Sequence, residues 1–236
     1  MKEARRVVIT GAGRGLGLEF VLQYLRRGWD VHALLRKPQA CEAIQQLLEG
    51  HGSKLEATAC DSADQGSMAA AAATIRARWN SLDLLINNAG VNGNSNSDMV
   101  DLDMDNIRYV FEVNTIGPIV MSRALLPLLE KGTHARIVQV TSKMGSITDN
   151  QSGGWWAYRL SKAALNMTCV NMSHELRDTD VATMVIHPGW VRTAMGGGAA
   201  PLSAEESVVG MIDVIDHLEP ADSGCFRDYT GADVPW

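Results

Sequence analysis

A short β-branched run, Arg5-Arg6-Val7-Val8-Ile9-Thr10, ends in a glycine cluster, Thr10-Gly11-Ala12-Gly13-Arg14-Gly15-Leu16-Gly17. That cluster opens an amphipathic stretch from Leu16 to Arg27, with Leu18, Val21, Leu22 and Leu25 at helical spacing. No other feature limits the fold as much. Glycine lets the chain turn tightly and lets a pyrophosphate approach the main chain, and the first amides of the following helix point at the anion. A strand, a glycine turn and a helix in that order predict a dinucleotide site. The plainer alternative is a tight turn.

The alternation continues. Strands are expected at Asp30–Leu35, Leu55–Ala59, Leu82–Ile86, Arg136–Thr141 and Val181–Ile186, with a seventh at Cys225–Tyr229. Helices are expected from Pro38 to Leu48, Ser62 to Trp79, Asp105 to Glu130, Trp156 to Arg177 and Ala204 to Leu218. Strands alternating with helices imply parallel pairing through right-handed crossovers. The expected fold is therefore one doubly wound α/β domain over residues 1–236, of the Rossmann type, with about seven strands and helices on both faces. No linker and no internal repeat interrupts it. The stretch Asn92-Gly93-Asn94-Ser95-Asn96-Ser97 reads as an exposed loop.

Charge narrows the function. The 27 acidic side chains outnumber 21 basic ones, giving a net charge of -6, and a phosphate-tracking nucleic-acid binder needs a basic face. The four cysteines (Cys41, Cys60, Cys169, Cys225) form no CxxC pair and no cluster with histidine. They read as reduced thiols in a cytoplasmic protein, and no metal site is expected. The chain begins without a signal-peptide core, and no apolar stretch has the ~18 residues that span a membrane.

In such sheets ligands bind beyond the carboxyl ends of the strands. That selects Thr10–Gly17, Asn87–Gly90, Thr141–Ser142 and His187–Thr193. Where an acid would read a ribose 2′-hydroxyl, at the end of the second strand, the chain has Leu35 followed by Arg36 and Lys37, with Arg14 in the glycine loop. Cations there suit a 2′-phosphate and so NADP(H). The alternative is a solvated Arg-Lys pair. Tyr158 and Lys162, four residues apart, share a helix face, and an ammonium near a phenol favours the phenolate. Moving a tyrosine from ~10 to ~7 requires about 4 kcal/mol. Ser142 is placed to hold a substrate oxygen or to cap a turn. Asn114 is placed to hold a water linking Lys162 to solvent, or to be a satisfied core amide.

Taken together these segments resemble the short-chain dehydrogenase/reductase family. They are Thr10–Gly17, Asp61, Asn87-Asn88-Ala89-Gly90, Asn114, Ser142, Tyr158 with Lys162, and Pro188-Gly189, in the family's order and at its spacings. The resemblance implies a catalytic tetrad of Asn114, Ser142, Tyr158 and Lys162, with Tyr158 the acid/base. It implies cofactor contacts from Gly11, Arg14, Gly15, Leu16, Gly17 and Arg36, and from Asp61 at the adenine. Asn88, Ala89 and Gly90 would flank the adenosine. Tyr158 and Lys162, with Pro188, Gly189, Val191 and Thr193, would lie at the nicotinamide end. Gly153–Arg159, His187–Thr193 with Met195-Gly196-Gly197, and Gly224–Tyr229 resemble the sniffer and C-factor branch. That branch includes NADPH-dependent carbonyl reductases and proteins credited with signalling.

The implied activity is NADPH-dependent reduction of a ketone or aldehyde to an alcohol. The alternatives are a nucleotide-binding regulator with incidental turnover, and an NAD-dependent alcohol dehydrogenase. The implied partners are a small carbonyl or alcohol substrate and a second or fourth copy of the chain, packed through the helices at 105–130 and 156–177. Ala194 and Trp155-Trp156 depart from the branch pattern beside the substrate cleft. Gly196–Pro201 is expected to form a short flexible lid or a bare turn. Trp155, Trp156 and Trp190 are expected to line the cleft or to belong to the core or an interface. His187 reads as structural.

Overall fold

The structure is a computed structural model that describes residues 4–94 and 99–236. Seven strands form one sheet: β1 (Arg6–Thr10), β2 (Asp30–Leu35), β3 (Leu55–Ala59), β4 (Leu84–Asn87), β5 (Arg136–Val140), β6 (Ala182–His187) and β7 (Cys225–Asp228). Their order is β3-β2-β1-β4-β5-β6-β7, and every pairing is parallel. The helices are α1 (Gly15–Arg26), α2 (Glu42–His51), α3 (Gln65–Arg78), α4 (Met104–Phe111), α5 (Gly117–Leu129), α6 (Trp156–Glu175) and α7 (Ala204–Asp216). This is the doubly wound Rossmann-type sheet that the alternation implied. Strand order reverses between β1 and β4, which opens a crevice at their carboxyl ends.

Successive strand residues face opposite sides of the sheet. Val7, Ile9, Val31, Leu84 and Ile86 pack with Phe20, Val21, Ile44, Met211 and Ile212 of α1, α2 and α7. Val8, Leu34, Leu85 and Ile137 pack with Met68, Ala71, Ile75, Met121 and Leu125 of α3 and α5. Both faces of β4 are therefore covered, which is why its sequence is apolar without alternation.

Three expected helices shift. The one at Pro38 is a one-turn 3-10 helix, Pro38–Ala40, and α2 starts only at Glu42. Between them Cys41 is extended, its thiol donating to the Gly13 carbonyl at 3.3 Å. α3 begins three residues late because Asp61 and Asp64 each turn the chain back on themselves. Asp61 accepts from Ala63 N–H, and Asp64 accepts from Gly66 and Ser67 N–H as the N-cap. The long helix expected from Asp105 to Glu130 is interrupted. Glu112–Ile116 is a π-helical turn, in which Gly117 N–H donates to the Glu112 carbonyl five residues back. Pro118 has no N–H to give the Asn114 carbonyl four residues back, so the α-ladder cannot continue there.

Of the expected exposed loop at 92–97, residues 95–97 lie outside the described residues. Asn92 and Gly93 are half-buried against α4. All four cysteines are free thiols. Among the described residues, no helix is long and apolar enough to cross a membrane.

Candidate active site

The loops after β1, β4, β5 and β6 meet at the carboxyl edge of the sheet. Thr10 ties the first two together, its hydroxyl accepting from the amides of Asn88 and Ala89 at 3.0 Å. The Asn88 side chain donates to the Thr10 carbonyl at 2.9 Å. The approach is so close that a Cβ at Gly17 would lie 2.2 Å from the Gly11 carbonyl oxygen, and one at Gly11 2.8 Å from Ala89 Cα. Arg14 is the N-cap of α1 and makes no side-chain cap. The first amides of α1, on Gly15, Leu16 and Gly17, thus face the crevice without an internal acceptor. That is a cradle for an anionic phosphate.

Arg14, Arg36 and Lys37 are exposed, and none of them forms an ion pair with the described residues. Three free cations beside an open helix N-terminus fit a phosphorylated dinucleotide. Asp61 follows β3 at the same edge and is half-buried. Pro188, Gly189, Val191 and Thr193 follow β6, and a Cβ at Gly15 would lie 3.3 Å from Thr193 Cγ2. The glycine loop and the 188–193 segment therefore face each other across the crevice.

Tyr158 and Lys162 lie one turn apart on α6. Ser142 follows β5 by two residues, is 8% exposed, and caps the one-turn 3-10 helix Lys143–Gly145 through Met144 N–H at 3.1 Å. Its hydroxyl lies on the Tyr158 side of the turn, close enough to lower the phenol's pKa. The structure shows the turn-cap reading of Ser142.

The electrostatics differ from the expected phenol acidification. Burial raises the Tyr158 pKa, and the Ser142 hydroxyl offsets only part of that. Lys162 is 4% exposed, and burial lowers its pKa to about 8. Its ammonium donates to the Val140 carbonyl at 2.8 Å and sits 5.8 Å from the Tyr158 ring centroid. In the protein alone, desolvation of the phenol dominates.

Asn114 lies in the π-turn and is fully buried. Its amide is engaged at both ends: Oδ1 accepts from Val91 N–H at 2.8 Å, and Nδ2 donates to the Val91 carbonyl at 2.8 Å and to Ser161 Oγ at 3.0 Å. The side chain is a satisfied amide that fixes the π-turn against α6. A Cβ at Gly90 would lie 3.3 Å from Asn114 Oδ1 and 3.7 Å from Lys162 Nζ, so the three meet around one point.

The segment expected to be a short flexible lid or a bare turn is hydrogen-bonded to its own flanks. Val191 and Leu202 form a parallel bridge, Gly197 N–H donates to the Thr193 carbonyl, and Trp190 Nε1 donates to the Gly196 carbonyl at 2.8 Å. Trp190 is 57% exposed, so it is not a core residue. Trp155 and Trp156 are half-buried at the start of α6. Trp155 is left-handed, with φ +51°, after two left-handed glycines. His187 is held neutral by burial, its pKa lowered to about 4.

Sequence reading did not single out Ser161, Asn166 or Arg159. Ser161 Oγ donates to the Tyr158 carbonyl at 2.8 Å. Asn166 joins α6 to the segment around Ser142. Arg159 donates to the carbonyls of Met144 and Gly153. Asn166 is four residues beyond Lys162, so helical spacing alone already placed it on the site's face.

Residues 5–201 match the family model described as short chain dehydrogenase. The C-signal protein of Myxococcus xanthus is 48% identical over 155 residues, covering 66% of this chain and 93% of that protein. The NADPH-bound carbonyl reductase from chicken fatty liver superposes with a TM-score of 0.92 at 35% identity, covering 99% of this chain and all of that one. The carbonyl reductase Sniffer of Drosophila melanogaster superposes with a TM-score of 0.93 at 29% identity and 99% coverage of this chain.

Proposed function

The chain belongs to the short-chain dehydrogenase family, and from that premise we propose that it is an NADPH-dependent carbonyl reductase. The observation that carries this reading is the convergence of Ser142, Tyr158 and Lys162 at the carboxyl end of β5, beside a cradle with free cations and no acid at the 2′ position. Bound NADPH supplies the hydride that adds to the carbonyl carbon. Gly11, Gly15, Leu16 and Gly17 would hold the pyrophosphate, and Arg14 and Arg36 the 2′-phosphate. Asp61 would hold the adenine, Asn88–Gly90 the adenosine, and Pro188, Gly189, Val191, Thr193 and Lys162 the nicotinamide end. Residues 1–236 then form one NADP-binding domain.

Tyr158 gives its proton to the carbonyl oxygen while Ser142 donates a hydrogen bond to the same atom. A half-buried phenol that stays protonated is ready to act as an acid, which favours reduction over alcohol oxidation. Tyr158 regains its proton from solvent, and Lys162 beside it, with a pKa of about 8, can exchange protons near neutrality. Asn114 acts by holding the π-turn beside Lys162.

Tyr158→Phe is expected to lower turnover of a ketone or aldehyde by about 10²–10⁴-fold while NADPH binding stays within about twofold. Full activity in that variant refutes the assignment. The identity with C-signal favours a second reading, a nucleotide-binding regulator with incidental turnover. A panel of aldehydes, ketones and quinones with NADPH separates the two: tight nucleotide binding without turnover of any member supports the regulator. Preference for NAD+ and an alcohol would instead support the oxidising dehydrogenase. Self-association would use α4 and α6, where Met104, Tyr109, Leu160 and Met167 are exposed.

A further inference from the structure

We propose that Asn166 is a positioning residue for the hydroxyl pair: one buried amide fastens both ends of the Ser142 turn to the helix that carries Tyr158. This rests on the reading of Ser142 and Tyr158 as the groups that meet the substrate oxygen.

Ser142 sits where β5 leaves the sheet. Its own bond, accepted from Met144 N–H, stays inside the turn and does not locate the turn relative to α6. Asn166 does. Its Oδ1 accepts from the Thr141 hydroxyl at 2.6 Å, immediately before Ser142. Its Nδ2 donates to the Gly145 carbonyl at 3.3 Å, three residues after Ser142. The amide is 3% exposed, so water does not compete for either bond. Gly145 lets the turn close on α6, because a Cβ there would lie 2.8 Å from Lys162 Cβ and from the Lys162 carbonyl carbon.

Asn166 follows Lys162 by four residues and Tyr158 by eight, so all three occupy one face of α6. The spacing between Ser142 and Tyr158 is then set by a rigid helix and an amide bound at both ends of the turn. Sites whose reacting groups are held by packed, hydrogen-bonded neighbours keep the tight tolerances that catalysis needs, and a displacement of about 1 Å can lower the rate by about 10²-fold. Arg159 holds the outer edge of the same turn through the Met144 carbonyl, while Asn166 holds its inner ends.

The test uses Asn166→Leu, which keeps the branched shape and removes both bonds, with Thr141→Val and Thr141→Ser as milder variants. Kinetics, NADPH titration and crystal structures are compared. Asn166→Leu is expected to lower kcat by about 10–100-fold, with the NADPH Kd within twofold of wild type. A wider Ser142–Tyr158 spacing should also move the tyrosine limb of the kcat/KM pH profile upward, because Ser142 lowers the phenol's pKa. Thr141→Val should lower kcat in the same direction, and Thr141→Ser should restore it. In the crystals the Ser142 and Tyr158 hydroxyls should separate in Asn166→Leu or, if that variant does not fold, in Thr141→Val. A hydroxyl spacing unchanged from wild type, an unchanged kcat, or a kcat that falls only in step with NADPH affinity would each overturn the proposal. If the wild-type protein reduces no carbonyl, the enzyme reading fails, and the crystallographic comparison still decides the role of Asn166.

Discussion

Lys162 donates to the carbonyl of Val140 at 2.8 Å instead of reaching the hydroxyl of Tyr158. Its charge is thus held at the end of β5, above the edge of the crevice, and burial draws its pKa down to about 8. Between that value and the free-lysine value of 10.5, the unfolded chain binds the proton more tightly than the folded one. Lys162 therefore weakens the fold below pH 8, and the penalty fades as the pH rises towards 10.5.

Lys162→Met is expected to abolish turnover and yet stabilise the fold at pH 7. The full penalty at 1.36 kcal/mol per pKa unit is about 3 kcal/mol, and losing the bond to Val140 returns about 1. A gain of about 1–2 kcal/mol in chemical denaturation at pH 7, shrinking by pH 10, is the expected result. A less stable variant at pH 7 contradicts it.

Two glycines make opposite predictions. A Cβ at Gly17 would sit 2.2 Å from the Gly11 carbonyl oxygen and 2.6 Å from Asn88 Nδ2, so Gly17→Ala should destabilise by about 1–3 kcal/mol and weaken NADPH binding at least tenfold. Gly50 lies within α2 with nothing near its Cβ position. Gly50→Ala should therefore stabilise by about 0.5–1 kcal/mol with binding unchanged. Thermal midpoints and fluorescence titration of NADPH read both.

Arg36 and Arg14 test cofactor choice. A charge-assisted hydrogen bond is worth roughly 1.5–3 kcal/mol, so Arg36→Ala should reduce the ratio of NADPH to NADH efficiency by about 10–100-fold. Arg14→Ala should act in the same direction. An unchanged ratio in both variants would assign these cations to solvent.

His32 supplies an acid limit. It is fully buried, its Nε2 is bonded to Thr58 Oγ1 at 2.8 Å, and burial lowers its pKa to about 4. Between pH 6.5 and 4 the unfolded chain takes up a proton that the folded chain refuses. Stability therefore falls as the pH drops through this window, by up to about 3 kcal/mol from this residue. Urea titrations at pH 7.5, 6, 5 and 4.5 should show a decline that is reduced in His32→Gln. Equal slopes in both proteins would rule His32 out as the source.

The fold was legible because its signals are local. Val7–Ile9 and Leu84–Ile86 are apolar without alternation, as a doubly covered strand must be. Gly17 and Gly28 punctuate α1 in the way a βαβ unit requires. Asn114 was legible as a position but not as a conformation. The π-turn depends on Pro118 meeting the ladder at Asn114 while Val91 and Ser161 hold the side chain, and those partners come from distant parts of the chain. The partners of the 196–201 segment were not legible for the same reason: Trp190 bonds the Gly196 carbonyl, and Leu202 pairs with Val191.

The order of strands and helices, the glycine loop between β1 and α1 and the one-turn spacing of Tyr158 and Lys162 follow from residues adjacent in the chain or related by helical period. The sequence alone therefore determined them. The protonation balance of Tyr158 and Lys162, and the fastening of the Ser142 turn by Asn166, depend on how much water remains around each group and on which distant carbonyls and hydroxyls arrive beside it. Desolvation and hydrogen-bond partnership are properties of the packed molecule, so only the tertiary structure decided them.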